Sequence, residues 1–260
     1  MRRYVLPAVT LGLLFLVMAD RISALFRQMS ARGRTVQLSA TAANPPDVRA
    51  SRQNARAGTP SEGRLARLAA RQQLTREAGG TYLDSLILST DSVVRRWPDR
   101  SGTPIRVAIV EGGVDGYDPK MAGYVRESLD RWEAIGIGIR FWVVADTGTA
   151  DIVVRWIDHF DFDRAGQTDL TWDQTGRVRR AFVSLALRTN GGVALPEPAL
   201  LAVAVHETGH ALGLPHSSDS NDVMFPATRT GTLSDRDRRT AAVLYRLPPG
   251  PVRDVLADGR

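Results

Sequence analysis

The stretch His206-Glu207-Thr208-Gly209-His210-Ala211-Leu212-Gly213-Leu214-Pro215-His216 is the most informative in the chain. His206 and His210 are four residues apart. On an α-helix that spacing puts both imidazoles on one face, one turn apart. Two ring nitrogens can then reach one ion at about 2.0–2.1 Å. Gly213 can take the positive φ that ends a helix and swings the chain round, and the turn lets His216 offer a third nitrogen. Three protein ligands leave a fourth position for water, the pattern of a catalytic rather than a closed structural zinc site. Glu207 neighbours the first ligand on the same helix. It would approach that water rather than the metal, as a general base. A bare HExxH is a weak pattern, because chance helices carry it. The full HExxHxxGxxH adds a glycine where a turn is needed and a ligand where the turn leads.

Pro196 and Pro198 open the apolar helix that carries this stretch, expected over 199–212. Proline suits a first helical turn, where its missing N–H has no helical partner. Farther upstream, β-branched residues predict a strand at 105–110. A helix starting near Pro119 would carry Met121, Val125, Leu129, Trp132 and Ile135 on one face, and Gly136 and Gly138 would stop it. Strands are expected at 139–144, 151–156 and 180–187, with a polar stretch over 158–178. Strands around a helix, with helices at the C-terminal end, predict an α/β (α+β) domain with a mixed twisted sheet. That domain is expected over 81–250, with a tail at 251–260.

The first eighty residues have another character. Arg2 and Arg3 precede an uncharged run from Tyr4 to Ala19, which then meets Asp20 and Arg21. This hydrophobic N-terminal segment, 1–26, reads as a signal peptide or as an uncleaved membrane anchor. Residues 27–80 read as a basic linker without an apolar period, except for an amphipathic helix over 64–77 that Gly79-Gly80 would end. That helix could be a short pro-segment, a spacer, or an element packed on the following domain. The ten arginines of 27–78 face only Asp47, Glu62 and Glu77, whereas 79–260 holds 21 basic and 24 acidic residues. The net charge of +6 therefore belongs to the linker, and no nucleic acid partner is expected of the folded part. Absence of cysteine excludes disulfides, thiolate metal sites and thiol catalysis.

The stretch 206–216 resembles the metzincin signature, and Asp222-Val223-Met224-Phe225-Pro226 looks like the Met-turn of that group. Among metzincins the matrixins match best. Leu233-Ser234-Asp235-Arg236-Asp237 with Leu244-Tyr245 resembles their C-terminal helix, Ala150-Asp151-Ile152 their third strand, and 105–110 their first. Phe225 stands where some other metzincins place a tyrosine, which also favours the matrixin side. The resemblance covers roughly 95–247 and implies a metzincin-like zincin domain with an active-site helix and a C-terminal helix. It implies one catalytic zinc on His206, His210 and His216, catalysis by Glu207, and Met224 as a hydrophobic floor under the imidazoles. The expected activity is a zinc metalloendopeptidase, monomeric and exported, whose polypeptide substrate lies along a sheet edge. Residues 180–187 are the expected edge strand.

The departures from that family matter. The pro-segment cysteine that caps the zinc in animal matrixins has no counterpart, so any latency needs another mechanism. His159-Phe160-Asp161 resembles part of a second, structural zinc site, but the remaining histidines are missing. Asp158, Asp161, Asp163, Asp169 and Asp173 could include oxygen ligands for calcium, although no EF-hand spacing appears. The competing reading is a catalytically silent zinc-binding interaction module tethered at the cell envelope.

Overall fold

The structure, a computed structural model, describes residues 62–84, 86, 92–100 and 102–252. The expected hydrophobic segment 1–26 and most of the linker lie outside the described residues, as do 253–260. No helix among the described residues is long and apolar enough to cross a membrane.

The described elements run α1 (Glu62–Glu77), a 3₁₀ turn (Ala78–Gly80), β1 (Val93–Val94), β2 (Ile105–Ile109), α2 (Lys120–Glu133), β3 (Phe141–Val144), β4 (Ile152–Ile157), β5 (Gly166–Trp172), β6 (Val178–Ala186), α3 (Glu197–Ala211), α4 (Asp235–Arg246) and β7 (Gly250–Pro251). Five strands form one mixed sheet in the order β3-β2-β4-β6-β5. β2, β3, β4 and β6 run parallel, and β5 returns antiparallel beside β6. β1 and β7 make a separate antiparallel pair.

The alternation of side chains along each strand explains the layering. Ile105 and Val107 of β2, Ile152, Val154 and Trp156 of β4, and Ala181, Val183 and Leu185 of β6 face one side and are buried. Against them lies the predicted face of α2, with Met121, Val125, Leu129 and Trp132 buried. Leu200, Ala204, Val205 and Ala211 of α3 join the same core. α2 stops as expected: Gly136 and Gly138 have φ of 76° and 79°. On the opposite sheet face Ala108, Ala150 and Val153 form a small separate cluster.

Two expectations need correction. Residues 180–187 are not an edge strand, because β6 pairs with β4 on one side and β5 on the other. The polar stretch 158–178 contains β5, which stands at one edge of the sheet while β3 stands at the other. The signal of β5 is a period-two pattern: Gln167, Asp169 and Thr171 alternate with Thr168, Leu170 and Trp172. Asp173 then makes the turn, its carboxylate accepting from the amides of Thr175 and Arg177.

The helix expected over 64–77 packs on the domain. Ala70 and Leu74 of α1 belong to the main core, with Leu74 fully buried, and Glu77 pairs with Arg239 of α4 at 3.2 Å. Replacing Leu74 by Ala should therefore cost about 2–5 kcal/mol of unfolding free energy. Urea unfolding of the full chain checks this; an effect near zero would mean that α1 is not part of the cooperative unit.

Candidate metal centre

α3 is apolar nearly all round, as a helix buried between a sheet and other helices must be. Its C-terminal end would leave carbonyls without partners, and the surrounding fold supplies them. The indole N–H of Trp97 donates to Ala211 O at 2.8 Å, and the Tyr245 hydroxyl donates to Leu212 O at 3.0 Å. Leu214 N donates to Gly209 O and Gly213 N to His210 O, closing a Schellman motif. Gly213 stands at its left-handed position with φ 95°. A Cβ there would lie 2.1 Å from the carbonyl oxygen of Arg95. Both the dihedral and the space demand glycine.

This turn brings His216 back to the helix. The ring centroids of His206, His210 and His216 lie 4.7, 4.6 and 5.3 Å apart pairwise. One ligand nitrogen from each falls within 4.8 Å of the others, with His206 buried, His210 half-buried and His216 exposed. His206 Nδ1 lies 2.7 Å from Val223 O, and His210 Nδ1 lies 2.8 Å from Leu214 O. A carbonyl can only accept, so both Nδ1 atoms carry the proton and both Nε2 atoms present lone pairs. His210 Nε2 faces His216 Nε2 at 3.1 Å. Two nitrogens on one tetrahedral zinc stand roughly 3.3 Å apart, so the set fits that ion. Backbone carbonyls on the outer nitrogens are also the partners that orient metal-binding histidines.

Burial holds these rings neutral. It pushes His210 down to about 3, with His206 and His216 adding to the effect, and it lowers His206 as well. Glu207 moves the other way. Burial raises its carboxyl to about 7, against the hydrogen bond from Thr168. Thr168 Oγ1 of β5 lies 2.6 Å from Glu207 Oε2 and 3.0 Å from Glu207 O. The carboxylate also lies against Gly166, where a Cβ would come within 2.4 Å of Oε1. Sequence reasoning missed both residues, because nothing local marks them as neighbours of a helix some forty positions later.

Met224 is fully buried. A Cβ on Gly209 would lie 2.4 Å from Met224 Sδ and 2.8 Å from Trp132 Cζ2. The methionine thus packs on the helix segment between His206 and His210. His159 lies apart from this centre, exposed and bonded to Asp158 at 2.6 Å. Among the described residues, His206, His210 and His216 make the one cluster of three or more such groups able to hold a metal. Of the acidic residues considered for calcium, Asp158 also binds Arg188, Asp173 binds Arg179, and Asp169 accepts from Gln167.

Two outcomes follow from this geometry. Gly213→Ala should lower stability by more than about 1 kcal/mol and reduce bound zinc per chain, measured by denaturant unfolding and metal analysis. Metal-free Glu207→Gln should gain stability over wild type as pH rises. The folded carboxyl at about 7 holds its proton more tightly than the ordinary 4.5. The Glu207 contribution to wild-type stability is therefore lost as pH climbs from 4.5 through 7; glutamine carries no such loss, and the histidines act alike in both chains. Melting temperatures of both chains at pH 4 and pH 8 test the sign.

Residues 105–246 match the Matrixin family. A stretch of 55 residues is 46% identical to Matrilysin of Felis catus, covering 21% of this chain and 18% of that protein. The chain thus matches under a fifth of the length of that relative. The family match runs from the first residue of β2 to the last of α4, more than half of the chain, and it encloses the sheet and the three histidines. The chain belongs to the matrixin family.

Proposed function

We propose that this chain is a zinc-dependent endopeptidase that hydrolyses peptide bonds of extracytoplasmic proteins. The ligands are His206, His210 and His216, and Glu207 is the general base. The observation that carries the reading is the convergence of the three imidazoles beside a buried carboxylate on the same helix.

Zinc, when bound, supplies a Lewis acid for the scissile carbonyl and lowers the pKa of water. The protein's own groups do the rest. Val223 O and Leu214 O hold His206 and His210 by their Nδ1 protons, so both rings aim Nε2 at one point. Glu207 takes a proton from the attacking water as the new C–O bond forms. It passes that proton to the amine nitrogen as the C–N bond breaks. The outer edge of β5 pairs with no other strand among the described residues, and an extended polypeptide would add there as a further strand. β5 touches α3 through Thr168 and Glu207, so this edge runs beside the centre. Export, through segment 1–26, and a monomeric state complete the reading.

The test is incubation of the full chain with a peptide library, read by mass spectrometry, with and without a zinc chelator. Internal cleavage that the chelator abolishes is expected. Glu207→Gln should lower turnover by about 10²–10⁴-fold while keeping zinc bound. If wild type binds zinc and cleaves nothing, the silent binding module replaces the peptidase.

A further inference from the structure

Glu207 projects from α3, yet the atoms that limit its carboxylate belong to β5. Gly166 and Thr168 stand opposite Leu185 and Val183 of β6. Those two residues are buried in the core, so positions 166 and 168 share the sheet face turned towards the helices. At Gly166 the strand offers no side chain, and the carboxylate fills the space that a Cβ would need. Two residues on, the Thr168 hydroxyl reaches Oε2 at 2.6 Å. The same hydroxyl lies 3.0 Å from the backbone oxygen of Glu207. It has one proton, and the shorter, charge-assisted bond to the carboxylate is the stronger of the two.

A glutamate on a helix has three rotatable side-chain bonds. The backbone of α3 sets none of the outer two. In the structure the bare backbone of Gly166 makes room for Oε1 and the Thr168 hydroxyl bonds Oε2, so β5 meets both carboxylate oxygens. We infer that Thr168 is a positioning residue for the general base: its hydroxyl, carried by the edge strand, holds the Glu207 carboxylate in its working orientation. The inference rests on the peptidase reading, in which the same strand receives the polypeptide. One backbone segment then aligns the substrate through its outer edge and the base through its inner face.

The experiment compares Thr168→Val and Thr168→Ser with wild type in the full, zinc-loaded chain. Valine keeps the branched shape and suits a strand, but it has no hydroxyl; serine keeps the hydroxyl. On a peptide that wild type cleaves, kcat of Thr168→Val should fall by about 10- to 100-fold, as for a reacting group misplaced by about an ångström. KM should stay within about twofold, because the side chain points away from the strand's outer edge. Thr168→Ser should recover most of kcat. Melting temperature and zinc per chain should match wild type in both variants. A crystal structure of metal-free Thr168→Val should show the Glu207 carboxylate displaced or split between rotamers. An unchanged kcat in Thr168→Val, an equal loss in Thr168→Ser, or an unmoved carboxylate would overturn the inference. If wild type itself cleaves nothing, the peptidase reading fails, and the crystal structure still decides whether the hydroxyl places Glu207.

Discussion

The carboxylate of Asp237 is fully buried, and the rest of the site depends on how it is satisfied. Its Oδ1 accepts from the Tyr82 hydroxyl at 2.9 Å, and its Oδ2 accepts from the amides of Val223 and Ser234 at 2.8 and 2.9 Å. An ionised carboxylate without such donors would be costly in this interior. With them it ties three distant parts of the chain together: the segment after α1, the turn holding Met224, and the start of α4. Burial and the neighbouring Asp237 charge hold the Tyr82 phenol far above its ordinary value, so it stays a donor. The carbonyl of the same residue, Val223, accepts a hydrogen bond from His206 Nδ1. A buried carboxylate, the backbone of one residue and one imidazole are thus linked by hydrogen bonds, and His206 is braced by Asp237 of the last helix.

A second buried carboxylate closes the loop between His216 and Met224. Asp222 accepts from Ser217, from Ser234 at 2.7 Å and from Arg236 at 3.2 Å. Ser217 N donates to Met224 O at 2.8 Å. The loop that follows His216 is thus tied both to itself and to the head of α4. Arg236 also reaches Thr81 O, and Ser234 and Asp237 form a capping box at the head of α4. The residues that start the last helix are therefore the ones that hold the turn.

α3 is specialised at a cost to its own stability. Gly209, in its last turn, is unfavourable for a helix by up to about 1 kcal/mol relative to alanine. The missing side chain admits Met224 and Trp132, whose indole N–H also donates to Val205 O at 2.8 Å. Thr208 points into the same layer and bonds Ser128 of α2 at 2.8 Å. Buried polar pairs of this kind fix the rotation of one helix against another. That rotation turns His206 and His210 towards His216, and Glu207 towards β5. Burial then holds the imidazoles neutral and raises the carboxyl, and such shifts are typical of functional sites.

The spacing of His206, His210, Gly213 and His216 was readable along the chain, because helical period and a turn are local properties. The same holds for the face of α2, for the four parallel strands and for the end of α2 at Gly136, where neighbouring residues alone carry the pattern. The edge strand escaped notice. Its residues are polar and only half-buried, so alternation along β5 is faint, and β6 looked like an edge although its true neighbours are set by pairing across the sheet. Gly166 and Thr168 could not be connected with Glu207 by any local rule, nor Tyr82 with Asp237. Those contacts join residues 39 and 155 positions apart, and only the closing of helix onto sheet brings them together. Local periodicity determined which side chains share a face; tertiary packing decided what each face meets.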